Sequence, residues 1–405
     1  MPHPVPPLRP GHHLQLLEGS RDFFPALVAA IDAAQAEVLL ETYIFDFTGS
    51  STEVAYALER AGRRGVQVRL IVDGAGTPEL PAFWRDRFDQ APVHWVVYSP
   101  VGRLGLLWPG QWRRLHRKLC VVDRTIGFCG GINILDDYHD PNHGPLKSPR
   151  FDFSLRVEGP LVQEMRATIV RQWSRIEAVG HLKRAQWSGA FELWREATGR
   201  QPVSAAPRQQ GYANVRAALL LRDNLRHRAV IERAYLRAIG RARDEIIIAN
   251  AYFVPGGRMR RALVSAAKRG VRVSLLLQGR YEYFMQYYAS RPVFGALLRA
   301  GAEIHEYAPS FLHAKVAVID GHWTTVGSSN LDPLSLLLAR EANVVVEDRA
   351  FAARLRDRLV AAMHQEGHRM DPAAYERRPP WQRAKERLAL IIMRMLLAIQ
   401  GKKYL

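Results

Sequence analysis

The chain has 405 residues, 48% of them hydrophobic and 24% charged, a mix that excludes a largely disordered protein. Its 57 Lys and Arg against 39 Asp and Glu leave a formal net charge of +18, which points to nucleic acid, an anionic membrane surface or a phosphate-bearing substrate. Two cysteines exclude a disulfide framework or Cys-rich zinc site and fit a reducing compartment, while neither a secretory signal nor an apolar run of about 18 residues is evident.

In chain order, residues 1–11 (MPHPVPPLRPG) read as a Pro-rich extension. The His12–His13 pair reads as a surface feature of that terminus. EVLLETYIF at 37–45 has the apolar, β-branched character of a strand, and STEVAYALERAGRRG at 51–65 has that of a helix. A second strand, VQVRLIVDG, follows at 66–74. The same order returns later: DEIIIANAYFV at 244–254, GGRMRRALVSAAKRG at 256–270 and VRVSLLLQG at 271–279. Both helices end in basic residues and a glycine, Gly65 or Gly270, as expected where the chain turns left-handed at a helix C-terminus. This is βαβ grammar, stated twice. The expected fold is α/β, with two pseudo-symmetric halves, each a mixed β-sheet flanked by helices, and one active site at their interface. The boundaries read as 12–199, a polar linker at 200–211 (RQPVSAAPRQQG), 212–370, and a basic amphipathic tail at 371–405.

The chemistry sits on a second echo. HRKLCVVD at 116–123 and HAKVAVID at 313–320 both match His-x-Lys-x4-Asp. The first continues to GGIN, Gly130 to Asn133, and the second to GSSN, Gly327 to Asn330. His116 and His313, Lys118 and Lys315, Asp123 and Asp320, and Asn133 and Asn330 are each separated by 197 residues. The chain holds 8 Lys against 49 Arg. Lysine at both motif positions therefore suggests that a compact ammonium matters there, not a planar fork. His and Lys two apart in an apolar strand share a face. Two such strands about a pseudo-twofold axis would gather two imidazoles, two ammonium groups and two amides. That set suits a phosphodiester: the cations and amides hold the non-bridging oxygens. One imidazole attacks phosphorus and the other protonates the leaving alkoxide. No cofactor is expected, since no Cys/His or carboxylate cluster signals a metal. Cys120 and Cys129, in apolar runs, read as core packing.

With these twin motifs the chain resembles the phospholipase D superfamily over roughly residues 12–366, and within it the bacterial cardiolipin synthases. The likeness extends to LQLLEGSRDFFPALVAAIDAAQAEVLLETYIF near the start and FDFSLRVEGPLV after the first motif. The resemblance implies that His116, Lys118, Asp123, His313, Lys315 and Asp320 form the catalytic motifs. Within them Asp123 and Asp320, at strand ends, are expected to support structure. It implies that Lys118, Asn133, Lys315 and Asn330 bind the substrate phosphate. It implies that Asp152 orients His313 and Glu341 orients His116, and that His116 is the nucleophile.

Two segments bear on the substrate. RLGLLWPGQWRR at 103–114 reads as a lipid-entry loop or as a lid over the core. YEYFMQYYASRPVFG at 281–295 could flank the same entrance or stack single-stranded nucleic acid. Residues 377–405 carry eight basic residues and one acidic one, Glu386, around LALIIMRMLLAI. That run is too short to span a bilayer; it suits an interfacial anchor on anionic lipid, or else a core or dimer-interface helix. Three functions then compete. The first is a phosphatidyltransferase taking phosphatidylglycerol as donor and acceptor, peripheral to the cytoplasmic face of the cell inner membrane and without obligatory nucleic acid. The second is a phospholipase D hydrolase or a nuclease of the same superfamily. The third is a non-catalytic basic membrane- or nucleic-acid-binding protein.

Overall fold

The computed structural model describes residues 4–100, 113–184, 211–223, 227–280, 284–332 and 339–399. The Leu- and Trp-rich part of the 103–114 loop and the 200–210 linker lie outside the described residues. The chain forms two compact units. The first is Arg9–Asp136 with Ser154–Val215, and the second is Met1–Leu8, Asp137–Phe153 and Arg216–Leu405.

The first unit begins with β1 (Arg9–Glu18), α1 (Gly19–Asp32), β2 (Glu37–Thr42), α2 (Thr52–Arg63) and β3 (Gln67–Asp73). It continues through α3 (Ala82–Gln90), β4 (Val93–Tyr98), β5 (Arg114–Leu115), β6 (Leu119–Val122) and β7 (Ile126–Gly130). After the short β8 (His139–Asp140) and β9 (Gly144–Pro145), which belong to the second unit, β10 (Phe153–Glu158) and α4 (Leu161–Arg184) complete it. Its strands run in the order β1-β10-β7-β6-β2-β3-β4. β2, β3 and β4 are parallel, and β6, β7 and β10 are antiparallel. Every residue of β2 is buried, Glu37, Glu41 and Thr42 included, as suits a strand covered on both faces.

The second unit repeats the plan with β11 (Tyr212–Arg222), α5 (Val230–Arg241), β12 (Glu245–Asn250), α6 (Gly257–Lys268) and β13 (Arg272–Gln278). Then come α7 (Phe284–Arg299), β14 (Glu303–Tyr307), β15 (Lys315–Ile319), β16 (Trp323–Gly327), β17 (Ala339–Glu347) and α8 (Arg349–Ala361). β18 (Gly367–Arg369), α9 (Pro372–Glu376) and α10 (Pro380–Ile399) end it. Its order is β18-β14-β13-β12-β15-β16-β17-β11, with the three parallel strands and the antiparallel run at equivalent places. Gly65 and Gly270, at φ +84 and +91, close the two equivalent helices.

Several boundaries differ from those read in the sequence. The first sheet starts at Arg9, so His12 is a buried strand residue, not a surface one, and burial pushes its imidazole below its ordinary value. Val5 and Leu8 of the Pro-rich segment pack on the second unit's core. The 371–405 tail is not a separate body: Tyr375, Ala389, Leu390 and Met393 belong to that same core. Of the aromatic segment at 281–295, residues 281–283 lie outside the described residues and 284–295 belong to helix α7, with Ala289, Val293 and Phe294 buried. Segment Asp137–Phe153 joins the second unit because Phe151 pairs its backbone with Phe311 and His313.

Candidate active site

Each motif stands where a strand of the antiparallel run begins. The ladder of β6 with β2 ends at the Glu41–Leu119 pair, so His116 and Lys118 precede the strand and do not sit within it. In the second unit Lys315 opens β15 opposite Asn250, and His313 again lies ahead of it. The lysines are buried and fold back on their own motifs. Lys118 Nζ donates to the carbonyl of His116 at 2.8 Å, and Lys315 Nζ donates to the carbonyl of His313. Lys118 also lies 5.4 Å from the centroid of the Tyr43 ring, and that ring lies 4.9 Å from His116.

His313 is half-buried. Its Nδ1 lies 2.7 Å from Asp152 Oδ2. The carboxylate is delivered by a parallel bridge between Phe151 and Leu312, in which His313 N donates to Phe151 O at 2.9 Å. A carboxylate on Nδ1 selects the tautomer with the proton on that nitrogen and stabilises the imidazolium. It leaves Nε2 for proton transfer. Glu341, fully buried in β17, accepts from Ser328 Oγ at 2.5 Å, and Ser328 belongs to the GSSN continuation. Asn133 Oδ1 accepts from Ile44 N at 3.2 Å. Asn330, its counterpart in the second motif, is buried as well, and the following Leu331 N donates to Asn250 Oδ1 at 3.1 Å.

Asp123 and Asp320 do work of another kind. Both adopt positive φ, 46 and 49, at the tips of the β6–β7 and β15–β16 hairpins, a conformation that Asp tolerates in a tight turn. Asp123 accepts from the backbone N–H groups of Gln35, Ala36 and Glu37 at 2.8 to 2.9 Å. Asp320 accepts from those of Arg243, Asp244 and Glu245. Each motif thus ties its hairpin to the entry of the neighbouring parallel strand. Burial by itself would raise the Asp320 carboxyl, but the three backbone donors outweigh it and hold it below its ordinary value. A depressed carboxyl stabilises the folded state at pH above its unfolded value, and that contribution is lost as pH falls through the folded one. Asp320→Asn is therefore expected to cost about 1–3 kcal/mol at neutral pH. The gap from wild type in denaturant unfolding should close as the pH drops below about 4.

Residues that motif reading did not reveal flank both histidines. Asp73, at the end of β3 and fully buried, accepts from Leu115 N at 2.6 Å and from Arg114 Nη1 at 3.2 Å. Burial raises its carboxyl; Arg114 and the backbone donors of Leu115 and Ala75 oppose that. Gln278, at the end of β13, accepts from Leu312 N at 3.3 Å. The last residue of the second parallel strand thus holds the residue preceding the histidine in both units. The signal was present: a polar residue closes a strand after three apolar ones at the same place in each copy (LIVD in VQVRLIVD and LLLQ in VRVSLLLQ). Glu41 of β2 pairs with Arg117 at 2.8 Å, both buried. As a positioning residue, Asp73 should act through geometry. Asp73→Ala is expected to lower kcat about 10- to 100-fold with KM little changed. Asp73→Asn, which keeps an acceptor for Leu115, should retain most of it; equal losses in both variants would remove the positioning role.

Cys120 and Cys129 are buried free thiols, the latter pushed up to about 12 chiefly by burial. They are core residues and not nucleophiles. Among the described residues no group of three or more His, Cys, Asp or Glu is placed to hold a metal ion, and no helix is long and apolar enough to cross a membrane.

A duplicated mixed α/β fold with a His-x-Lys-x4-Asp motif at the same strand of each copy defines the phospholipase D-like class. The family described as cardiolipin synthase, PLD-like domain, matches residues 27–144 and again 235–362. The chain is 37% identical over 393 residues to cardiolipin synthase B of Escherichia coli K12, covering 97% of this chain and 90% of that protein. It is 29% identical to cardiolipin synthase A of Cronobacter sakazakii, covering 93% and 74%. The chain belongs to the cardiolipin synthase family. Among solved structures, phosphatidylserine synthase of Haemophilus influenzae shares the fold with a TM-score of 0.67 at 11% identity, over 98% of this chain and 97% of that one.

Proposed function

We propose that the protein is a phosphatidyltransferase that makes cardiolipin from two molecules of phosphatidylglycerol, and that both histidine motifs act on one phosphodiester. The His116 imidazole attacks the phosphorus of the donor. The bond from phosphorus to the glycerol oxygen breaks, and His313, protonated on Nε2, gives its proton to the departing alkoxide. The neutral His313 then takes the proton of the acceptor's glycerol hydroxyl. That oxygen attacks phosphorus, the P–N bond to His116 breaks, and cardiolipin leaves. Lys118, Lys315, Asn133 and Asn330 are assigned to the non-bridging phosphate oxygens. Asp152 orients His313, and Glu341 is assigned the same task for His116.

The reading rests on the contact between Asp152 and His313 Nδ1, which equips that imidazole as an acid and base, and on near full-length likeness to cardiolipin synthases. The basic, partly apolar C-terminus supports peripheral attachment to anionic lipid at the cytoplasmic face of the inner membrane. The deciding assay supplies labelled phosphatidylglycerol to the purified protein in mixed micelles. Cardiolipin with an equal amount of released glycerol is expected. Phosphatidic acid in its place would make the enzyme a hydrolase, and no conversion would reject phosphatidylglycerol as donor.

A further inference from the structure

Helix α10 has two apolar faces. Ala389, Leu390 and Met393 are buried in the second unit's core. Trp381, Leu388, Ile391, Ile392 and Met395 are exposed, from 39% for Ile392 to 69% for Trp381. At about 100° per residue the exposed five form one stripe, centred opposite the buried side. The packed side fixes the helix against α7, so the stripe is presented by a folded element and not by a loose tail.

Beside this helix lies a cavity of about 400 Å³ between α7, α9 and α10. Its floor is built and self-neutral. Arg378 donates to both oxygens of the buried Glu386, at 2.7 and 2.8 Å, and stacks 3.4 Å from the centroid of Tyr375. Gly295 lines the cavity, and a Cβ there would stand 3.2 Å from the Tyr375 ring and 3.3 Å from Arg299 Nη1. The rim is cationic. Arg299 and Arg387 are exposed there, Arg299 only 3.7 Å from Glu376, and Arg383 donates to the Glu376 carbonyl. Four guanidinium groups thus face two carboxylates.

We propose that this cavity seats the phosphate of an anionic phospholipid headgroup while the adjoining stripe of α10 rests in the acyl boundary. None of the histidine-motif residues lines it, so it is a non-catalytic lipid site. Arginine forks suit phosphate oxygens, and an apolar stripe flanked by Arg387 and Lys385 suits the headgroup layer. A nucleic acid would use the arginines and could stack on Trp381 but has no use for the exposed Leu388, Ile391, Ile392 and Met395. The inference takes its lipid from the proposed membrane function but does not depend on the reaction catalysed.

The test uses the full-length protein and flotation with phosphatidylcholine vesicles, with and without about 30% phosphatidylglycerol. The wild type should prefer the anionic vesicles at least about tenfold, and the double variant Arg299→Glu/Arg387→Glu should lose about that factor. Leu388→Ser/Ile392→Ser should weaken binding to the same vesicles. All of these positions are exposed, so the variants should keep the wild-type melting temperature. Turnover of a short-chain, monodispersed phosphatidylglycerol should stay unchanged in both. Anionic-vesicle binding untouched by the arginine reversals would overturn the proposal, as would equal binding to neutral vesicles. So would an arginine dependence seen only with inorganic phosphate or with DNA. If the wild type fails on the short-chain substrate, the catalytic reading falls, while the vesicle comparison still decides this one.

Discussion

His313→Ala and His116→Ala are each expected to lower cardiolipin formation by at least about 10⁴-fold, because each removes a group that the other cannot replace. The two variants should fail differently. With a phosphatidyl ester of p-nitrophenol the leaving group departs without protonation. His313→Ala should then release close to one equivalent of nitrophenol and stall as a phosphatidyl-enzyme, since nothing remains to deprotonate the acceptor. His116→Ala should give no burst. The opposite pattern would exchange the roles of nucleophile and acid, and near-normal turnover in either variant would sink the two-histidine mechanism.

Asp152→Asn should cost about 10²- to 10⁴-fold in kcat with KM nearly constant. The buried carboxylate sits 2.7 Å from His313 Nδ1, so an amide there can present its NH2 to the ring and reverse the tautomer. The imidazolium formed during turnover would also lose its counter-charge. The distinguishing readout is the pH profile. Removing a carboxylate lowers the imidazole's affinity for protons, so the limb of kcat that reports His313 protonation should move to lower pH. A uniform loss at every pH, with a lowered melting temperature, would assign Asp152 to the fold alone.

The twin motifs were legible because the same residue types return at the same spacing, at the starts of two equivalent strands of one duplicated plan. The βαβ repeats were legible too, through buried parallel strands such as EVLLET and the glycines that close the helices after them. The structural duty of Asp123 and Asp320 could be read from their place at strand ends, although the backbone groups they clamp could not. Asp73 and Gln278 went unread, because a polar residue at a strand end has many uses. Only the folded chain brings each against the residue before a histidine.

The sequence by itself determined which groups are available, two imidazoles and two ammonium groups, and the α/β plan that holds them, since local periodicity and side-chain chemistry are written residue by residue. Only the tertiary structure decided which distant segments meet. It placed Phe151 and Asp152 against His313 through a backbone bridge. It drew Val5 and Leu8 onto a core built some two hundred residues later. It also divided the C-terminal helix between a packed face and an exposed one. Burial depends on which surface arrives opposite a residue, and a stripe of Leu and Ile reads the same in one dimension whether a helix or a lipid covers it.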